Sequence, residues 1–131
     1  MADRVSITAA DGHVLEAWRG TPDGPPVGGI VFLHAIYGLT DHTEATVIAD
    51  VAACAAALHK TTPKVAISGF CSGGSWAWIC AGTTAFDAAV IYYGSDLYES
   101  RERRPVCPAL LHYGDKDHVV PIDRVEAIRT A

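Results

Sequence analysis

Apolar residues occur in short runs along the chain, separated by glycine, proline and charge, and the spacing within each run indicates the element it forms. Val5 to Thr8 and His13 to Trp18 read as strands on either side of Ala10-Asp11-Gly12, whose Asp-Gly step signals a tight hairpin. Thr21 to Gly29 holds three of the seven prolines and three glycines and reads as a loop. Ile30 to Leu33 is an unbroken apolar run, as in a buried strand. From about Glu44 to His59, Val47, Val51, Ala55 and Leu58 recur on one helical stripe that Ile48 and Ala52 widen. Asp41 or Thr43 can cap that helix, and Cys54 sits inside it as packing. Val65, Ala66 and Ile67 resemble a parallel strand covered on both faces, and a glycine-punctuated turn leads on to a helix from Gly73 to Ala81. Trp76 and Trp78, two apart, cannot share a face of that helix, so at least one lies near the sheet. Ala88 to Tyr93 and Ala109 to Tyr113 are further strands, and Pro121 suits the first turn of a last amphipathic helix ending near Arg129.

Strand and helix alternate from Ile30 onwards. This predicts an α/β fold with a doubly wound, mostly parallel sheet and an antiparallel hairpin at one edge. With 131 residues, half of them hydrophobic, residues 1–131 are expected to form one domain with a real core, short for an enzyme of this class. A net charge of −5 argues against a nucleic-acid partner, and the basic cluster Arg101, Arg103 and Arg104 is broken by Glu102. No apolar run approaches the ~20 residues that span a bilayer. Cys54, Cys71, Cys80 and Cys107 lack CxxC spacing and the first residues lack a signal-peptide core, which points to reduced thiols and a cytoplasmic location. No histidine pair has metal-ligand spacing, and no cofactor is expected.

The chemistry concentrates in Lys64 to Gly82, KVAISGFCSGGSWAWICAG. Gly69-Phe70-Cys71-Ser72-Gly73 fits the nucleophile-elbow pattern G-x-S-x-G with sulfur in place of oxygen. In such an elbow the central residue sits on a sharp strand-to-helix turn, and the glycines are needed because helix and strand pass too close for a Cβ. Cys71 then lies at a helix start, where unpaired N–H groups and the helix dipole favour negative charge on the sulfur. The plain alternative is a small buried cysteine after a glycine-rich turn. Asp117, in Gly114-Asp115-Lys116-Asp117-His118, follows a parallel strand and comes after the nucleophile, the chain order of this layout, although aspartate is also common in turns.

Four blocks, His34 to Gly38, Lys64 to Gly74, Ala89 to Gly94 and Pro108 to Pro121, resemble the dienelactone hydrolase family of the α/β-hydrolase superfamily. The resemblance covers nearly the whole chain, and the elbow and the last block, PALLHYGDKDHVVP, are its specific parts. It implies a Cys-Asp-His triad with Cys71 as nucleophile and Asp117 as the carboxylate, and an oxyanion hole made by the backbone N–H groups of Ile36 and Ser72. The expected activity is hydrolysis of a small ester or lactone through an acyl-thioester. Two departures accompany it. Ala35 stands where the family has a glutamate that interacts with the cysteine, and no histidine after His118 fills the place of the triad histidine. His118 matches a family residue that is not the base, while His34, His42 and His112 near strand ends are ordinary polar residues by default. The family also has a helix, a strand and a long connection where this chain has the few residues from Gly38 to Glu44, so missing sequence, with a large Cα step there, is expected. Without those elements the strand at Ile30 to Leu33 must pair with the hairpin or stay open. Cys71 and Asp117 are expected at one C-terminal sheet edge, separated by a space for a histidine ring that none of the 131 residues fills. The alternative functions are a non-catalytic binding module of the same fold and a redox-sensitive thiol protein.

Overall fold

The computed structural model describes residues 2–34, 44–83 and 85–131. The hairpin forms from β1 (Ala2–Thr8) and β2 (Val14–Gly20), joined through Gly12 at φ 88°. It is a two-stranded sheet of its own, Ala2 opposite Gly20 through Thr8 opposite Val14, and does not extend the main sheet. A contact between His13 Nδ1 and Asp50 of the first helix, 3.0 Å, ties the hairpin to the rest of the chain.

The main sheet is parallel, in the order β3 (Gly29–Leu33), β4 (Val65–Phe70), β5 (Ala88–Tyr92), β6 (Ala109–His112). The register runs Leu33 to Gly69, Phe70 to Tyr92 and Tyr92 to His112. Among the described residues the strand at Ile30 to Leu33 is thus an end strand that does not pair with the hairpin. Helices α1 (Glu44–His59), α2 (Ser72–Ala81) and α3 (Ile122–Thr130) follow β3, β4 and β6. Pro121 takes the N-cap position of α3, at φ −59° and ψ 155°, one residue before the first turn expected for it.

The stripe on α1 buries Val47, Val51 and Ala55, with Leu58 at its margin. Of the two tryptophans, Trp78 is the buried one and donates its indole N–H to the Ser100 carbonyl at 3.2 Å. These helices pack on the sheet face that carries Val31, Val65, Ile67, Ala89 and Ile91, and together they make one contiguous core. Burial on β4 alternates strictly, with Val65, Ile67 and Gly69 buried and Ala66, Ser68 and Phe70 half-buried. The apolar run therefore reflects two different environments. Its second face joins Ile30, Phe32, Val90, Tyr92, Leu110 and His112, none of which enters the buried core. On that face Phe70 meets Phe32 edge-on at 5.2 Å and Tyr92 at 4.7 Å, and Tyr92 stacks on His112 at 4.7 Å. None of the described helices is long and apolar enough to cross a membrane.

Candidate active site

The site starts from the crossing of β4 and α2. A Cβ on Gly69 would stand 2.2 Å from the Gly73 carbonyl oxygen, and one on Gly73 would stand 2.3 Å from that of His34. Gly74 is pressed in the same way against the Tyr92 carbonyl oxygen at 2.9 Å. Strand and helix approach so closely that the residue between them must take up the whole reversal. That residue is Cys71, at φ 55° and ψ −126°. A side chain in this left-handed region costs on the order of 1–3 kcal/mol and persists only where the surrounding structure imposes it. Here the imposing bonds are the Cys71 N–H to the Tyr92 carbonyl, 3.1 Å, and the Cys71 carbonyl accepting from the N–H groups of Gly74 and Ser75 at 2.9 and 3.1 Å.

Cys71 is the N-cap of α2 and caps it with no side-chain hydrogen bond. Ser72 is the first helical residue, a position whose N–H has no acceptor within the helix. Ser75, one turn on, accepts the Asp96 N–H at 2.9 Å, fixing the loop after β5 to α2. Cys71 is half-exposed. Among the other thiols, Cys80 is buried and pushed up to about 12, and burial raises Cys54 and Cys107 as well.

Asp117 lies beyond β6, at the same C-terminal edge of the sheet as Cys71, with β5 between their strands. Two strand spacings put the two strand axes about 10 Å apart. Asp117 Oδ1 accepts the N–H groups of Val119 and Val120 at 2.7 and 3.2 Å, so the carboxylate is fixed to its own turn. Nearby, the half-buried Tyr113 donates its hydroxyl to the Gly94 carbonyl at 3.2 Å, and burial pushes this phenol up to about 12. His118 is exposed beside Asp117, and His34 and His112 stand exposed at the ends of β3 and β6. Ala35, Ile36, Asp41, His42, Thr43 and the steps from Gly38 to Glu44 lie outside the described residues.

Two clefts lie beside the helices, one of them reaching Tyr113 and Asp115 beyond β6. One of about 510 Å³ runs between α3 and β6 past Trp78, Leu111 and Val125. Another of about 330 Å³ lies beside the end of α2 at Ile79, Arg103 and Arg104. Neither is lined by Cys71 or Asp117. Among the described residues no group of three histidines, cysteines or carboxylates could hold a metal ion.

Sequence reasoning missed Tyr93, which also has a left-handed backbone, φ 39°. Glycine, not tyrosine, is the usual signal of such a conformation, and the sole hint was Gly94 directly after it.

The chain is similar to the carboxymethylenebutenolidase of Pseudomonas putida, 27% identical over 174 residues that take in 92% of this chain and 74% of that one. A putative carboxymethylenebutenolidase of Yersinia pestis is 37% identical over 81 residues, 53% of this chain and 30% of that one. Among solved structures, a Pyrococcus furiosus esterase superposes with a TM-score of 0.74 at 15% identity, over 99% of this chain and 76% of that one. At that identity the likeness concerns the fold, which is that of the α/β-hydrolases. The dienelactone hydrolase family model matches residues 40–131, well over half of the chain. With the parallel sheet and the strand-to-helix crossing, this establishes that the chain belongs to the dienelactone hydrolase family.

Proposed function

We propose that the protein hydrolyses a small ester or lactone with Cys71 as nucleophile, through an acyl-thioester. The observation that carries this reading is the left-handed backbone of Cys71 between Gly69 and Gly73, a strained conformation that a merely structural cysteine does not need. The Cys71 sulfur, as thiolate, adds to the carbonyl carbon, and the carbonyl electrons move onto oxygen. The Ser72 N–H stabilises this oxyanion together with the Ile36 N–H that the family resemblance implies, each donor being worth roughly 10²–10³ in rate. Collapse expels the alkoxide, which takes up a proton, and leaves the acyl group on sulfur. Water then cleaves the thioester, releasing the acid and restoring the thiol. Asp117 is the orienting carboxylate: Oδ1 is held by the Val119 and Val120 N–H groups, and Oδ2 is the atom a base's N–H would meet.

Turnover of an activated ester by the wild type and by Cys71→Ala tests this reading. A burst of alcohol followed by steady release, both lost in the variant, is the expected result. Equal turnover in the two proteins would overturn it. The reading of the chain as a non-catalytic module of this fold draws on one observation, the Asp117 carboxylate already engaged by its own turn, and predicts no Cys71-dependent release at all.

A further inference from the structure

Among the described residues, those other than glycine with a left-handed φ are Cys71 and Tyr93. They sit side by side. Phe70 and Tyr92 are the last register pair of β4 and β5, and Cys71 and Tyr93 are the next residue on each strand. Neighbouring strand ends about 5 Å apart therefore carry both strained positions.

Several contacts hold Tyr93 in place. Its N–H donates to the His112 carbonyl at 2.8 Å. Gly94 follows it against α2, where a Cβ would come within 3.1 Å of the Ser75 nitrogen. The Tyr93 ring stacks on Phe70 at 5.9 Å and 27°, and Phe70 is bonded directly to Cys71. Tyr93 is 43% exposed and contributes nothing to the buried core. Asparagine or glycine would meet the same backbone requirement with less strain, so the turn does not account for a tyrosine here. The position holds an aromatic ring with one side on Phe70, the residue bonded to Cys71, and part of its surface open to solvent.

We infer that Tyr93, backed by Phe70, is the aromatic wall of the acyl side of the Cys71 site, and that it selects esters carrying a flat aromatic acyl group over short aliphatic ones. The inference rests on Cys71 being the nucleophile. Tyr93, Phe70 and Phe32 carry no charge, so recognition there is by stacking and removal of apolar surface from water rather than by an ion pair.

Two measurements read this selection, one of which does not require turnover. The first is the ratio of Cys71 labelling by N-phenylmaleimide to that by N-ethylmaleimide, mapped at the peptide level. The second is the ratio of kcat/KM for 4-nitrophenyl benzoate to that for the acetate. Tyr93→Asn keeps a residue that tolerates the left-handed backbone and removes the ring, while Tyr93→Phe keeps the ring. Both ratios are expected to fall roughly fivefold in Tyr93→Asn, the size of one aromatic pair, with the loss in KM for the benzoate. Tyr93→Phe is expected to stay within about twofold of the wild type, well short of one aromatic pair. A labelling ratio in Tyr93→Asn equal to the wild-type value would overturn the inference, as would an equal fall in Tyr93→Phe. A fall in the labelling ratio without turnover of either ester would uphold the aromatic wall and defeat the hydrolase reading.

Discussion

The two ends of the candidate site, Cys71 beyond β4 and Asp117 beyond β6, stand on the same edge of one sheet but are held there in different ways. At Cys71 the backbone is driven into a costly conformation by a crossing so tight that two glycines cannot carry a Cβ. At Asp117 everything local is ordinary: Oδ1 closes its turn through two backbone N–H groups, as aspartate does in many turns without any catalytic role. Strain with no structural return is what the proposed nucleophile role accounts for at the first end. The chemistry of the second end must be separated from its turn by experiment.

The largest effect should come from closing the gap at the first end. Gly73→Ala sets a Cβ against the backbone carbonyl oxygens of His34 and Leu33, atoms with no rotamer to yield, and should cost ~3 kcal/mol or more, read in denaturant unfolding. Cys71→Gly should go the other way, relieving the left-handed backbone and raising stability by about 1 kcal/mol while removing the proposed nucleophile. A loss of stability in Cys71→Gly would mean that the thiol packs more than it strains.

At the second end, Asp117→Ala removes the acceptor of two N–H groups and should cost about 1 kcal/mol. Asp117→Asn keeps an acceptor oxygen and should change stability by less than ~0.5 kcal/mol. If the carboxylate also orients a base, ester turnover falls in both variants; if it serves the turn alone, Asp117→Asn keeps full activity. The smallest effect concerns neither end. Asp87 accepts from Lys64 Nζ and the Val65 N–H, both at 2.8 Å, and these bonds, the Lys64 one first, hold its carboxyl below the usual range. A carboxyl lowered in the folded state stabilises above its unfolded pKa, ~3.9, and loses that contribution as pH falls through the lower folded value. Asp87→Asn should flatten this acid limb in a series of Tm values against pH.

The difference between the two ends also shows how much the sequence could reveal. Glycines at 69 and 73 flanking one cysteine after Val65-Ala66-Ile67 made the elbow legible, because close approach leaves few residue types possible. Helix α1 was legible from Glu44 to His59 because its stripe repeats over four turns. The second face of β4 was not, since Ala66 and Phe70 look equally apolar whether a helix or a row of neighbouring rings lies over them. Nor was Tyr93, held by one bond to β6 and by the close approach of Gly94 to α2, contacts that no local pattern encodes. For Asp117 the residue type was right for either role, so the family resemblance of its block, supported by its place after a strand, carried the assignment.

The central claim is that strain at the strand-to-helix crossing presents Cys71 as a nucleophile. Peptide mapping after brief exposure to 4-nitrophenyl acetate and acid quench tests it most directly. The acetyl group should appear on the Cys71 peptide, be released by hydroxylamine, and be missing from Cys71→Ala. Acetylation of the Cys54 or Cys107 peptides in place of Cys71, or equal uptake by wild type and Cys71→Ala, would contradict it.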